Sequence, residues 1–208
     1  MHIPSVLVAE QLLAQAELMN PGPWVAHSRY VALGARLIAE KHPRLDPEAA
    51  YILGLLHDIG RRVGRTHIRH LIDGYQYLMG LGYADAARIS LTHSFPIADL
   101  RAYFGESDCS AEDLIFLEEY ITRTELSEYD RLIQLCDTIS MPEGFCLMEK
   151  RLVDVAMRYG VSDMTVMGWE ARFAIKAQFE AAIGCSIYTI LPAVICGTFG
   201  ENLASLVK

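Results

Sequence analysis

Apolar residues recur at three- to five-residue steps along almost the whole chain, and prolines and glycines interrupt them at short intervals. One face of an α-helix repeats about every 3.6 residues, so this spacing is typical of helices packed on a core. Strand-like alternation over more than four residues is nearly absent. In the first segment the pattern is carried by Val6, Leu7, Leu12, Leu13 and Ala16. The pattern predicts an all-α fold.

Helix start and stop signals divide the chain into short segments. Asp46-Pro47 supplies an N-cap and a first-turn proline. Ser110 with Asp113, and Ser127 with Asp130, resemble capping boxes that carry Asp in place of Glu. These signals predict a first helix that ends before Asn20, helices over 24–41, 46–58, 67–79, 84–94, 145–159 and 164–183, and two more that begin at Ser110 and Ser127. They predict a loop over 60–65.

Charge and length exclude several classes of protein. The 208 residues include 18 basic and 26 acidic side chains, a net charge of −8. Extended nucleic acid needs clustered cations, so an acidic chain of this kind is not expected to bind it. Two small domains would fit this length, but the sequence shows no linker, repeat or low-complexity tract. We therefore predict one domain over 1–208.

Compartment is predicted from two further features. The first ten residues lack the basic and apolar regions of a secretory signal, and the longest apolar run, 187–195, contains Pro192 and falls short of a membrane span of about 20 residues. The cysteines contain no C-x-x-C pair, which favours reduced, mostly buried thiols: Cys109, Cys136, Cys146, Cys185 and Cys196. We expect a cytoplasmic protein that does not bind membranes.

Polar residues in apolar surroundings are the main functional signal. Four histidines lie inside or at the end of predicted helices, whereas His2 and His42 lie outside them and are expected to face solvent. His57 and Asp58 follow the apolar run 51–56, and burying an ionised Asp costs several kcal/mol unless it is paired or bound to a metal. Taken singly, each histidine could be a hydrogen-bonded core residue, and Asp137 could pair with Arg131.

Taken together, these residues indicate a metal site. The set contains four histidines and two aspartates on different helical segments: His27, His57, Asp58, His70, His93 and Asp137. They can converge only if the helices pack around a common point. Imidazole nitrogens with carboxylate oxygens suit Fe, Mn, Co, Ni or Zn.

The order of these residues resembles a known signature. His27, then His57-Asp58 followed by Ile59-Gly60-Arg61, then Asp137, is similar to the H…HD…D pattern of the HD-domain superfamily of metal-dependent phosphohydrolases. The segment 24–35 also resembles its first-ligand helix. The resemblance covers about 23–159 and implies a single-domain helical bundle with its ligands on separate helices. Residues 1–22 and 160–208 would then be helical extensions packed on that core.

A second resemblance concerns the number of metals. His70 and His93 are similar to the extra H…H pair of superfamily members that hold two ions, among them the HD-GYP phosphodiesterases and the dinucleoside tetraphosphate hydrolases. No Gly-Tyr-Pro follows, so the HD-GYP signature itself is incomplete. The resemblance implies that Asp58 bridges two ions, one also held by His27, His57 and Asp137 and the other by His70 and His93. His67 competes with His70 for the ligand role, and His70 fits the pattern better.

The resemblance further implies hydrolysis by a metal-activated water, with Asp58 and Arg61 as catalytic residues. Guanidinium groups match phosphate oxygens, so Arg61 and Arg65 are predicted to bind the substrate. His67 is predicted to reach a phosphate or lie at the rim of the site. A solvated basic loop is the alternative for these arginines, and above all for Arg62.

The predicted function is hydrolysis of a phosphoester in a small nucleotide or related metabolite. A di-iron HD-domain oxygenase uses the same ligands, and a non-catalytic nucleotide sensor is a further alternative. The aromatic residues Tyr75, Tyr77, Tyr83, Phe95 and Tyr103 could line a base pocket or belong to the core. The apolar segment 187–195 could pack on the domain or form a homodimer.

Overall fold

Helices dominate the architecture. The computed structural model describes residues 1–103 and 105–200. Within them lie α1 (Val6–Met19), α2 (Pro23–Ala39), α3 (Pro47–Leu56), α4 (Arg69–Gly80), α5 (Ala84–Thr92), α6 (Ala111–Arg123), α7 (Glu128–Ile139), α8 (Met148–Tyr159), α9 (Thr165–Ile183), α10 (Ile187–Ile190) and α11 (Val194–Phe199). Two 3₁₀ helices (Ile59–Val63 and Leu100–Ala102) and one antiparallel pair, β1 (Ser140–Met141) with β2 (Gly144–Phe145), complete them. The predicted all-α class is confirmed.

Side-chain caps fix where several helices begin. The Asp46 carboxylate accepts a hydrogen bond of 2.7 Å from the Ala49 amide at the start of α3. At α7, Ser127 and Asp130 form both halves of the predicted capping box. The predicted box at α6 is half formed. Ser110 accepts a hydrogen bond from the Asp113 amide, whereas the Asp113 carboxylate lies 3.7 Å from an Arg69 guanidinium nitrogen.

Two predicted segments differ most from the structure. Residues Ile59–Val63 form a 3₁₀ helix rather than a loop, because the Arg61 amide donates to the Asp58 carbonyl at 3.0 Å, and the turn ends at Gly64. The helix expected from residue 145 begins at Met148. Phe145 instead pairs with β1 and is fully buried beside Tyr30, with ring centroids 5.5 Å apart.

The principal apolar core draws on both ends of the chain. Leu13 of α1, Ile175 of α9 and Val194 of α11 belong to the same buried cluster as the apolar faces of α2, α3 and α7. A smaller cluster joins α4, α5 and α6 around Leu71 and Phe95. The single-domain organisation over 1–208 stays a prediction, since 201–208 lie outside the described residues.

Close packing of α2 on α3 sets the distance between the first two candidate ligands. A Cβ atom at Gly54 would lie 2.7 Å from the Cα atom of Ala32, so the two backbones meet at a pair of small residues. His27 lies on α2, and His57 is the residue that follows α3. Their ring centroids are 5.3 Å apart as a result of this approach.

Other expectations have mixed outcomes. His2 is exposed, but His42 is 7% exposed, because its ring packs 5.6 Å from the Phe179 ring of α9; the expected solvent position of His42 is wrong. All five cysteines are free, and Cys185 and Cys196 are exposed rather than buried. No helix in the described part of the chain is long and apolar enough to cross a membrane.

Replacement of Gly54 with Ala tests the α2–α3 packing. We expect Gly54→Ala to lower the free energy of unfolding by about 1–3 kcal/mol or more, because a backbone atom rather than a flexible side chain must move. Urea denaturation measures this change. Gly80→Ala is the control, since no atom lies within 4 Å of the added carbon. Equal stability of the Gly54→Ala protein and its parent would contradict the described packing.

Candidate metal centre

The carboxylate of Asp58 lies at the centre of the predicted ligand set. Asp58 is 4% exposed and sits between α3 and the following 3₁₀ helix. Its Oδ1 lies 3.0 Å from His70 Nε2 and 3.7 Å from His93 Nε2, and its Oδ2 lies 3.9 Å from His57 Nε2. One carboxylate therefore faces imidazoles from three different segments.

Backbone carbonyls orient these three imidazole rings. His57 Nδ1 donates to the Gly54 carbonyl at 2.7 Å, His93 Nδ1 donates to the Ile89 carbonyl at 3.1 Å, and His70 Nδ1 donates to the His67 carbonyl. A carbonyl can only accept, so the proton of each neutral ring is on Nδ1. Each Nε2 therefore presents a lone pair towards Asp58, an arrangement typical of histidines that bind metals.

His27 and Asp137 approach the same point from α2 and α7. His27 Nε2 and Asp137 Oδ1 are 2.9 Å apart, and the same oxygen lies 4.0 Å from His57 Nε2. The Asp137 side chain is 28% exposed, whereas His27 is buried. The Asp137 carboxylate therefore joins the buried cluster to a cavity above it.

Burial and charge set the protonation states at neutral pH. Burial, aided by His57, lowers the pKa of His93 to about 4, and burial also lowers the pKa values of His57 and His70. Burial opposes ionisation of Asp58, but the Arg61 guanidinium holds the pKa of this carboxyl well below the usual range. The centre thus combines neutral imidazoles with an ionised carboxylate.

Three buried atoms of this cluster have no hydrogen-bond partner. They are His27 Nδ1, His57 Nε2 and Asp58 Oδ1. A buried polar atom left unpaired costs about 1–3 kcal/mol, so such atoms call for a missing partner. Asp58 Oδ1 also faces the lone pair of His70 Nε2 at 3.0 Å, where only a cation or a proton could lie favourably between them.

Donor atoms from the cluster form two groups, and each is compact enough for one ion. His27, His57 and Asp58 form the first, and Asp58, His70 and His93 form the second. Within each group the donor atoms lie within 4.8 Å of one another. Nitrogen and carboxylate donors fit a divalent transition metal, and Asp58 belongs to both groups.

Comparison with known proteins agrees with this geometry. A family model described as the HD domain matches residues 24–141, more than half of the chain. The chain belongs to the HD domain family. HD domains are characteristic of a superfamily of metal-dependent phosphohydrolases, some members of which have other activities. No curated protein and no solved structure matches the chain.

All six predicted ligands lie within the matched range of this HD domain, and the structure brings them together. Five belong to the two groups above: His27, His57, Asp58, His70 and His93. Asp137 contacts His27 directly. The structure therefore places every predicted ligand at one centre, whereas their coordination of an ion stays a prediction.

Arg61 contacts two of the predicted ligands directly. Its Nε donates to Asp58 Oδ2 at 2.6 Å, its Nη1 donates to the Thr66 carbonyl at 3.2 Å, and its Nη2 lies 3.4 Å from His70 Nε2. Asp58 in turn raises the pKa of Arg61 against the opposing effect of burial. Arg61 thus balances the charge of Asp58, and its predicted contact with substrate stays a prediction.

A cavity of about 730 Å³ opens onto the centre. Arg61 and the exposed Arg65 line it. Five of the predicted ligands line it as well: His27, Asp58, His70, His93 and Asp137. His67 is not among the lining residues; its Nε2 lies 3.9 Å from Glu106 and its carbonyl holds the His70 ring. The backbone carbonyl at this position thus orients the His70 ring, and contact of the His67 side chain with substrate stays a prediction.

Sequence reasoning missed several residues that line the cavity. They include Arg151 and Arg158 of α8, Arg172 of α9, and Trp24. The spacing of seven between Arg151 and Arg158 places both on one helix face, but such a pair is common on solvated faces. Of the aromatic set, Tyr103 lines the cavity, whereas Tyr75, Tyr77, Tyr83 and Phe95 pack in the apolar clusters.

Loss of one imidazole should weaken metal binding at the centre without unfolding the protein. We expect His57→Ala to weaken metal binding by at least about 100-fold, the upper end for residues that only support a ligand. Metal content per chain, measured on protein purified without chelator, gives the result, and circular dichroism checks the helical fold. His2→Ala, at an exposed terminal residue, is the matched control. Full metal content in the His57→Ala protein would contradict the assigned centre.

Proposed function

We propose that this HD domain is a metal-dependent phosphohydrolase that acts on a phosphoester of a small nucleotide or related metabolite. The observation that carries the proposal is the shared position of Asp58, which joins two groups of donors at the floor of a cavity. Arginines at that cavity suit a phosphorylated substrate. The net charge of −8 argues against extended nucleic acid as the partner.

Two metal ions fit the donor set. His27, His57 and Asp137 would hold one ion, His70 and His93 would hold the other, and Asp58 would bridge them. Fe, Mn, Co, Ni and Zn all suit nitrogen and carboxylate donors. When bound, such ions supply a water of lowered pKa and offset negative charge on phosphoryl oxygens.

The chain's own residues supply orientation and charge. The ionised Asp58 and the carbonyl-bound imidazoles hold the donors in fixed directions before any ligand arrives. Arg61 remains protonated beside Asp58, and Arg65 lies at the open side of the cavity. We propose that both guanidiniums bind oxygens of the reacting phosphate, since the planar fork of arginine matches phosphate.

Phosphate release separates this function from its alternatives. Protein loaded in turn with Mn, Fe, Co, Ni and Zn is presented with a panel of phosphomonoesters, phosphodiesters and nucleotides. We expect metal-dependent release of phosphate or of a phosphorylated product, and none from metal-stripped protein. Iron-dependent oxygen uptake without phosphate release would instead identify an oxygenase. Nucleotide binding without any turnover would identify a sensor.

The number of ions is tested by removing the second donor group alone. We expect the double variant His70→Ala and His93→Ala to bind one ion per chain where the parent binds two, because His27, His57, Asp58 and Asp137 remain. Metal titration followed by elemental analysis gives the stoichiometry. Saturation of the parent protein at a single ion with every metal would contradict the two-ion proposal.

A further inference from the structure

One face of α8 forms a wall of the cavity. The residues of this helix that line the cavity follow the i, i+3, i+4, i+7, i+8 spacing of a single helix face: Arg151, Asp154, Val155, Arg158 and Tyr159. Met148 and Leu152 are buried on the core side. Lys150 ties the helix to the end of α11, donating to the Gly197 and Thr198 carbonyls at 2.8 Å each. The polar face of α8 is therefore held towards the cavity.

This wall carries more positive than negative charge. Arg151 and Arg158 share one carboxylate, with guanidinium–oxygen distances of 3.3 and 2.7 Å to Asp154. Arg172 of α9 also lines the cavity, and its Nη1 donates to the Gly168 carbonyl at 3.1 Å. Burial lowers the pKa of Arg172 to about 10, so the group is still a cation at pH 7. Three guanidiniums thus accompany Asp154.

Positive side chains still outnumber negative ones when the whole lining of the cavity is counted. Glu143, in the turn between β1 and β2, adds one exposed carboxylate to the lining. Among the residues that the structure describes, the lining then contains five arginines and four carboxylates, two of which, Asp58 and Asp137, belong to the metal centre. Such an arginine group is notable in a chain of net charge −8. Its three members belong to α8 and α9, whereas Arg61 and Arg65 follow His57-Asp58 in sequence; Arg172 is also within electrostatic reach of Asp137 in the metal centre.

We propose that Arg151, Arg158 and Arg172 form a second anion subsite, which binds a phosphate group of the substrate other than the phosphate that is hydrolysed. The inference rests on the proposed function and narrows its substrate class to metabolites with at least two phosphate groups. The cations that line the cavity within residues 1–103 and 105–200 are all arginines, whose planar fork binds phosphate in a bidentate manner. A cavity of about 730 Å³ is large enough for a molecule that spans both sites.

The proposed subsite lies outside the part of the chain that matches the HD domain. The matched HD domain ends at residue 141, whereas α8 and α9 follow it. The shared domain therefore supplies the metal donors, and the C-terminal helices supply the second wall. We infer that selection among phosphorylated metabolites depends on this C-terminal wall.

Binding of compounds that cannot be hydrolysed tests the subsite independently of turnover. The probes are α,ω-bisphosphonates on straight carbon chains from propane to octane, each paired with the alkyl monophosphonate of the same length. With metal-loaded protein, calorimetry should show at least one bisphosphonate binding about tenfold more tightly than its partner. The matched ω-phosphonocarboxylates show whether a carboxylate can replace the second phosphate; a gain of equal size with a carboxylate would overturn the assignment to phosphate.

Variants of α8 identify the residues responsible. In the double variant Arg151→Gln, Arg158→Gln, the tighter binding of the bisphosphonate should disappear, while the affinity for the monophosphonate stays unchanged. Asp154→Asn should increase the gain, because it removes the carboxylate that both arginines share. The control is Arg36→Gln with Arg123→Gln, which removes two exposed cations that each pair with a glutamate four residues away.

The outcomes separate the subsite from the proposed function. Absence of any gain in the parent protein, or a gain that survives in the Arg151→Gln, Arg158→Gln variant, would overturn the subsite, even if phosphomonoesters are hydrolysed. A gain that depends on both arginines would support it. If no phosphoester is then hydrolysed, the proposed function fails while the anion subsite stands.

Discussion

A buried carboxylate that must stay ionised is the constraint on which the rest of this structure depends. Asp58 is nearly inaccessible to solvent, and one of its oxygens has no hydrogen-bond partner. Isolated, such a group would be protonated or would destabilise the fold by several kcal/mol. Arg61 supplies one compensating charge, and the Nε2 lone pairs around Oδ1 leave a position that favours a cation. The same buried carboxylate therefore both offers a donor to a metal ion and requires a nearby positive charge.

Small residues make this arrangement sterically possible. A Cβ atom at Gly60 would lie 1.9 Å from the His70 carbonyl oxygen, so no larger residue fits where the 3₁₀ helix meets α4. Gly54 permits the comparable approach of α3 to α2. These two contacts flank His57-Asp58 in sequence, so the segment that carries the central ligands is also a segment of close backbone packing. The positions of the metal donors His57 and Asp58 therefore depend on the close packing at Gly54 and Gly60.

Periodicity and caps predicted most of the fold, because helix faces and end signals are local properties. His27, His57, Asp58 and Asp137 could be predicted as a group because their order resembles a family signature. The burial of His42 could not, since it depends on Phe179, which is distant in sequence. The arginines of α8 were missed for a related reason: local spacing shows that Arg151 and Arg158 share a face, but only the docking of α8 shows that this face meets a cavity.

The central claim is that Asp58 joins two donor groups at a single centre. Anomalous X-ray diffraction at the absorption edge of the metal loaded into the protein tests this claim most directly, because it locates ions without reference to activity. Two anomalous peaks that both contact Asp58, one beside His57 and one beside His93, are the result that the account predicts. Ions bound elsewhere, with Asp58 held by Arg61 alone, would contradict it.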